Sequence, residues 1–181
     1  MIFLVEINTE SIKLLKERFG YNANIYRGDY LEIPTSFVVP DIIIGNPPYN
    51  FNGLKKVPTL QDTKKKDDGI TIWTYFVRKN MELLKENGYM NIVIPSIWLK
   101  PDNAGINNLL LQFKIMKMHT INGNKANKIF YKNGQTPLVY FLLQKKKTDN
   151  QIDLYDSLKR DYVIWNTLEY NSILSIIPLD Y

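Results

Sequence analysis

Short apolar runs alternate along the chain with stretches whose apolar residues recur every three or four positions. Ile2–Val5 is a four-residue apolar run ending at Glu6, the pattern of a strand buried in a parallel sheet. Asn8 or Thr9 can cap a helix in which Ile12, Leu15 and Phe19 recur at helical spacing before Gly20 supplies a stop. Asn24–Arg27 predicts a second short strand, ending in Gly28-Asp29. Asp41–Ile44 predicts a third, and its unbroken apolar character after the acid predicts burial on both faces. That run leads into Gly45-Asn46-Pro47-Pro48-Tyr49, where two prolines must end the strand.

From Asn50 to about Gly69 the chain is polar, with Lys55, Lys56 and Lys64–Lys66, and at this length reads as either a functional loop or a partly disordered stretch. Trp73, Phe76, Val77, Met81 and Leu84 form one stripe of a helix expected over residues 70–86, closed by Gly88. Met90–Ile94 is a fourth strand, stopped by Pro95. Asp102 can cap a helix carrying Ile106, Leu109, Leu110 and Phe113. Met116–Ile121 and Leu138–Leu143 read as two further strands, joined by a polar loop with Lys125, Lys128, Phe130 and Lys132. Ile152–Tyr155 and Tyr162–Ile164 predict short strands near the end. Strands alternating with helices predict an α/β fold with a doubly wound, mostly parallel sheet and helices on both faces. Residues 1–147 read as the main domain and 148–181 as an extension of it.

Composition narrows the function. The absence of cysteine removes disulfides, thiolate metal sites and cysteine nucleophiles. A single histidine, His119, argues against a histidine metal site or a His-based triad, so no metal is expected. No apolar run approaches the roughly 18–20 residues of a membrane span. The opening MIFLVEI lacks the basic flank and cleavage site of a signal peptide, so a cytoplasmic protein is expected. A net charge of +5 suits a polyanionic partner without identifying one.

Ligands of such sheets bind beyond the carboxyl ends of the strands. Here those ends carry Glu6, Asp29 and Asn46-Pro47-Pro48-Tyr49, expected along one rim. Asn-Pro-Pro-Tyr arises by chance in about one chain in a thousand of this size, on average residue usage. Two prolines freeze the backbone, leaving the Asn46 side-chain oxygen and the Pro47 carbonyl as fixed acceptors facing one small site. A planar exocyclic amine has two N–H donors to match them. Holding both favours a pyramidal nitrogen, frees its lone pair and complements the positive charge that grows during attack. Tyr49 can stack on the plane of the substrate group.

At these residues the sequence resembles the S-adenosylmethionine-dependent amino-methyltransferases, and within them the gamma group of N6-adenine DNA methyltransferases found in restriction-modification systems. The resemblance spans about residues 2–165 and implies a Rossmann-like fold. Val5-Glu6-Ile7 is similar to the acidic strand end that holds the cofactor ribose hydroxyls. Gly28-Asp29-Tyr30 is similar to the adenine-binding element, in which the acid accepts from the cofactor amine. Tyr75-Phe76 through Gly88 resembles the helix and glycine after the catalytic strand, with Phe76 lining the cofactor adenine pocket. Ile94-Pro95-Ser96 and Trp98-Leu99 continue the likeness. Phe130, ahead of Thr136-Pro137-Leu138-Val139, resembles the aromatic that clamps the other face of a flipped adenine. The resemblance thus implies Asn46, Pro47, Pro48 and Tyr49 as catalytic motif, Tyr49 and Phe130 as base clamp, and Glu6, Ile7, Asp29, Tyr30 and Phe76 as cofactor residues. S-adenosyl-L-methionine would be the cofactor and double-stranded DNA the substrate, with Lys64, Lys65, Lys66 and Lys128 in reach of phosphates. Phe76 and Phe130 also fit ordinary core contacts, and the lysine triplet also fits a solvated loop.

The family's first strand and glycine-rich loop, which precede the Glu6 strand, have no counterpart in the sequence, and neither does a target-recognition domain after it. The resemblance therefore implies a fragment, with an upstream segment or a partner chain supplying the rest. The absent strand is central in that family, so the Glu6 and Asn46 strands should either pair directly or leave two apolar edges open. Two other readings stand beside this one. One is an amino-methyltransferase of protein glutamine or of RNA, which also uses Asn-Pro-Pro with an aromatic. The other is a catalytically inactive remnant or DNA-binding subunit.

Overall fold

Residues 1–50, 71–100, 104–130, 136–156 and 159–167 are described by a computed structural model, in which the chain divides after Val39 into two compact units. In the first, β1 (Phe3–Glu6) pairs in parallel with β2 (Asn24–Arg27), setting Phe3 opposite Asn24 and Glu6 opposite Arg27. The crossover is α1 (Thr9–Phe19), capped by the Asn8 side chain, which accepts from the Ser11 N–H. Gly20 ends the helix at φ 90°, a conformation in which a Cβ is strained. Phe37 packs edge-on to Tyr26 at 5.1 Å and to Phe3 at 6.1 Å, so aromatic rings supply much of this small unit's apolar contact.

The second unit is built on β3 (Ile42–Gly45), β4 (Tyr89–Pro95), β5 (Phe113–Ile121), β6 (Leu138–Lys147), β7 (Gln151–Asp156) and β8 (Asp161–Asn166). Their order is β3-β4-β6-β5-β7-β8. Parallel pairing joins β3 to β4 and β5 to β7. Antiparallel pairing joins β6 to both β4 and β5, and β8 to β7. The sheet is therefore mixed, where the alternation of elements predicted a mostly parallel one. An apolar run such as Leu138–Leu143 marks a strand but carries no direction, and β6 turns back to fill the gap between β4 and β5.

One face of this sheet is covered. From α2 (Trp73–Leu83), Trp73, Val77 and Met81 pack with Met90, Ile92 and Ile94 of β4 and Phe141 and Leu143 of β6. Trp98, Leu99, and Ile106 and Leu110 of α3 (Ile106–Leu110) join them, as do Ile152 and Leu154 of β7 and Trp165 of β8. The predicted α3 is shorter than its apolar spacing suggested, because Phe113 belongs to β5 and Gly105, at φ 68°, occupies the cap position. Asp102 lies outside the described residues.

The opposite face is covered at one end, where Ala126 packs on Ile121 and Leu138, and is exposed along β3. Ile42 is 61% and Ile44 81% exposed, which overturns the expectation that β3 is buried on both sides. Of the three isoleucines only Ile43 packs on the core, as strand alternation requires. On this face His119 is sandwiched between Tyr140, at 4.9 Å, and Tyr155, at 4.3 Å, with the rings nearly parallel. Tyr162 meets Tyr155 edge-on, and Lys117 Nζ lies 5.0 Å from the Tyr162 ring centre. Desolvation by this sandwich, and then the nearby Lys125 charge, lower the His119 pKa from its ordinary value of 6.5.

The amino ends of β3 and β4 meet at Gly88. The Tyr89 N–H donates to the Asp41 carbonyl at 2.8 Å, and the Lys145 N–H donates to the Gly88 carbonyl at 2.8 Å. A Cβ on Gly88 would stand 2.8 Å from the Lys85 carbonyl oxygen and 2.9 Å from that of Asp41, so this crossing has room only for hydrogen. Beside it Lys85 Nζ meets Asp41 Oδ1 at 2.8 Å, which holds the Asp41 carboxyl below its ordinary range. Both groups are exposed, and such pairs contribute little to stability. Among the described residues no helix is long and apolar enough to cross a membrane.

The one-sided core makes two outcomes testable. Ile92→Ala should cost about 2–5 kcal/mol, whereas Ile44→Ala should stay within about 0.5 kcal/mol of the parent; equal losses in urea unfolding would contradict the assigned faces. His119 binds its proton less readily folded than unfolded, so stability should fall as pH drops through the unfolded value of 6.5 and level off below the folded one. His119→Gln removes that slope. Its stability relative to the parent should therefore improve as pH is lowered across this window, and parallel pH profiles would refute the assignment.

Candidate active site

In the first unit, parallel pairing brings Glu6 and Asp29 to one end of the two-stranded sheet. The Gly28 N–H donates to the Glu6 carbonyl at 3.1 Å, extending the ladder by one rung, and Asp29 comes directly after it. Glu6 Oε1 accepts from the Asn8 N–H at 2.8 Å, and Asp29 Oδ1 accepts from the Leu31 N–H at 2.9 Å. One oxygen of each carboxylate is thereby tied to backbone, which orients the other. Asp29 also caps the short 3-10 turn Tyr30–Glu32. Tyr30 is half-buried, and burial pushes its hydroxyl up to about 12. Ile7 is 66% exposed. Two fixed carboxylates beside an exposed aliphatic and an aromatic residue suit a ligand that carries hydroxyls, an amine and a flat apolar face.

In the second unit, β3 delivers Asn46 at its carboxyl end. Asn46 is exposed, Pro47 is buried, Pro48 is exposed and Tyr49 is half-buried. The prolines cannot donate to a ladder, so the chain leaves β4 at this point. It is caught again at once: the Tyr49 carbonyl accepts from the Ile72 N–H at 3.1 Å, and Asn50 bridges Thr71 ahead of α2. The Tyr49 hydroxyl donates to Asn46 Oδ1 at 3.0 Å. Burial pushes that hydroxyl up to about 12, so it keeps its proton throughout the neutral range.

The Tyr49 ring packs on the main core and on a small second cluster of Ile121, Ala126 and Leu138. Phe130 packs on this same small cluster, together with Val93. Ile121 and Leu138 are opposite each other on the last rung between β5 and β6. Tyr49 and Phe130, far apart in sequence, thus share one apolar floor.

Phe130 is carried by a helix, not by the polar loop expected between β5 and β6. α4 (Gly123–Ile129) is capped by Asn122, whose side chain accepts from the Lys125 N–H at 2.8 Å. Its sequence, Gly-Asn-Lys-Ala-Asn-Lys-Ile, has weak helix propensity and no apolar stripe. Burial of Ala126 against the floor compensates. The available sequence signal was Asn122 as a cap, immediately after a strand. Lys128 is exposed in the last turn of α4. Phe76 is half-buried on α2, the helix whose start anchors Tyr49. Lys64, Lys65 and Lys66, along with Lys132, lie outside the described residues.

The model of the Eco57I restriction-modification methylase family matches residues 40–130, the stretch from the start of β3 through α4 to Phe130. No curated protein matches the chain. Among solved structures, a type I restriction-modification methyltransferase subunit from Streptococcus thermophilus is similar with a TM-score of 0.60 and 22% identity, over 89% of this chain and 38% of that one. The M protein of the type I restriction enzyme EcoKI gives a TM-score of 0.59 and 18% identity, over 85% and 35%. A Listeria monocytogenes protein described as a class I S-adenosylmethionine-dependent methyltransferase gives 0.56 and 14%, over 84% and 48%. At these identities the likeness is one of fold, and the fold is that of S-adenosylmethionine-dependent methyltransferases. The chain spans less than half the length of each of these three structures.

Asn122→Ala should loosen α4 by about 1 kcal/mol, the usual worth of an N-cap. Amide hydrogen exchange should then quicken in α4 and not in β4; unchanged protection of α4 would show that the cap does not hold Phe130 in place.

Proposed function

The chain belongs to the Eco57I restriction-modification methylase family, and we propose that it carries the catalytic residues of a methyltransferase acting on the N6 amine of adenine in duplex DNA. The observation that carries this reading is the meeting of Tyr49 and Phe130 on one apolar floor, with Asn46 hydrogen-bonded to Tyr49 at the strand end. Two aromatic side chains on a shared floor suit a base taken out of the helix stack, and the adjacent carboxamide oxygen suits its exocyclic amine.

The first unit fits the adenosine half of S-adenosylmethionine. Glu6 would accept from the ribose hydroxyls and Asp29 from the cofactor's amine, each with the carboxylate oxygen that its backbone contact leaves over. Ile7 and Tyr30 would supply apolar contact from this unit, and Phe76 remains a candidate through the resemblance alone. When bound, the cofactor supplies an electrophilic methyl group. The adenine N6 lone pair is delocalised into its ring and is a poor nucleophile. Asn46 Oδ1 and the Pro47 carbonyl would each accept one N–H, drawing the nitrogen toward a pyramidal shape. The same two dipoles complement the positive charge that grows on nitrogen as it attacks. Asn46 is exposed, so the proton shed afterwards has a path to water.

Tyr49 and Phe130 would hold the two faces of the target base. Lys128, and with it Lys64, Lys65 and Lys66, would meet phosphates, a contribution that falls with added salt. The greater length of the solved structures supports further polypeptide, in the same chain or a partner's, as the source of the remaining cofactor contacts and of the target-sequence reader.

The test is Asn46→Ala in a methyl-transfer assay with labelled cofactor and duplex DNA, run together with the polypeptide that supplies the remaining cofactor contacts. Losing one preorganised acceptor should lower kcat by about a hundred- to a thousandfold, with cofactor binding by titration calorimetry unchanged. Near-parental turnover would refute the role.

A further inference from the structure

Stacking against a base needs only the ring of Tyr49; its hydroxyl needs another explanation. We propose that this hydroxyl is a positioning group, which holds the Asn46 carboxamide with its oxygen rather than its nitrogen toward the amine. This inference rests on the reading of Asn46 as an acceptor and adds a specific job for a second residue.

The need for such a group is geometric. Asn46 lies beyond the end of β3, is exposed and sits in no helix or ladder, so secondary structure does not hold its side chain. The two ends of a carboxamide have nearly the same shape. Turned over, it would present N–H donors to a substrate that also brings N–H donors, and the acceptor would be lost. A fixed donor at the oxygen removes that ambiguity.

Tyr49 is suited to be that donor. Its side chain packs on both apolar clusters, and its carbonyl is tied to the Ile72 N–H at 3.1 Å. Its hydroxyl reaches Asn46 Oδ1 at 3.0 Å. A phenol oxygen shares a lone pair with its ring, which makes it a better donor than acceptor and selects the carboxamide oxygen over the nitrogen. Burial keeps the hydroxyl protonated. A carboxamide oxygen has two lone pairs, so one accepts from Tyr49 while the other stays available to the substrate amine.

The decisive variant is Tyr49→Phe, which keeps the ring and removes the donor. Nitrogen-15 relaxation of the Asn46 side-chain amide, assigned by its loss in Asn46→Ala, should show restricted motion in the parent and free-surface motion in Tyr49→Phe. In the methyl-transfer assay kcat should fall about two- to tenfold, the scale of one hydrogen bond, with KM for DNA unchanged. Tyr49→Ala, which also lacks the ring, should raise KM as well. Unaltered Asn46 motion in the phenylalanine variant would overturn the inference, and so would freed motion with an unchanged kcat. If the parent transfers no methyl group even with the polypeptide that supplies the remaining cofactor contacts, the proposed function fails, while the relaxation measurement still decides whether the hydroxyl orients Asn46.

Discussion

Two consecutive prolines without an N–H set the terms for everything beyond β3. Its ladder with β4 runs from Ile42 to Gly45 and goes no further, although β4 itself continues against β6 as far as Pro95. A residue able to donate at position 47 could have prolonged the pairing and drawn Asn46 into the sheet. Instead Pro47 is buried as a plug, Asn46 is left at the rim, and Tyr49 is returned to the start of α2. An exposed polar side chain thus gains a fixed position from its neighbours' inability to pair.

The same end of the sheet unites core and site. The last rung between β5 and β6, Ile121 opposite Leu138, completes the ladder and also carries the contacts of Tyr49 and Phe130. Ala126 adds the third side chain of that small cluster from α4. Packing that stabilises the unit is therefore also what sets the two aromatic rings, and a defect in one would be felt in the other.

Much of this was legible in the residues. β1, α1, β2, β4 and the breaks at Gly20 and Pro95 arise from short-range patterns that tertiary contacts reinforce. The strand end bearing Asn46 was legible because proline chemistry is local. Three features were not. The direction of β6 is a property of its neighbours, to which an apolar run is indifferent. The exposure of Ile42 and Ile44 depends on what lies over them, and a run of isoleucines states only that a strand could be covered. α4 is a helix because Ala126 is buried and Asn122 caps it, neither of which shows as periodicity in seven mostly polar residues. The meeting of Tyr49 with Phe130 was indicated only through resemblance, since nothing in the spacing of the two residues says that they share a floor.

Gly88 has a consequence for how the family's sequences can drift. Two backbone carbonyl oxygens, those of Lys85 and Asp41, occupy the space that any other side chain would enter, with a Leu84 methyl beside them. Most positions in the core can be exchanged for another apolar residue of similar volume, with compensating shifts nearby. Position 88 has no such exchange, because what crowds it is main chain, whose composition selection cannot alter. As homologues diverge beyond easy alignment, the interval from the Asn-Pro-Pro-Tyr motif to this glycine should lengthen or shorten freely in between while both ends persist. That pair of landmarks would anchor the register of distant sequences where overall identity no longer does.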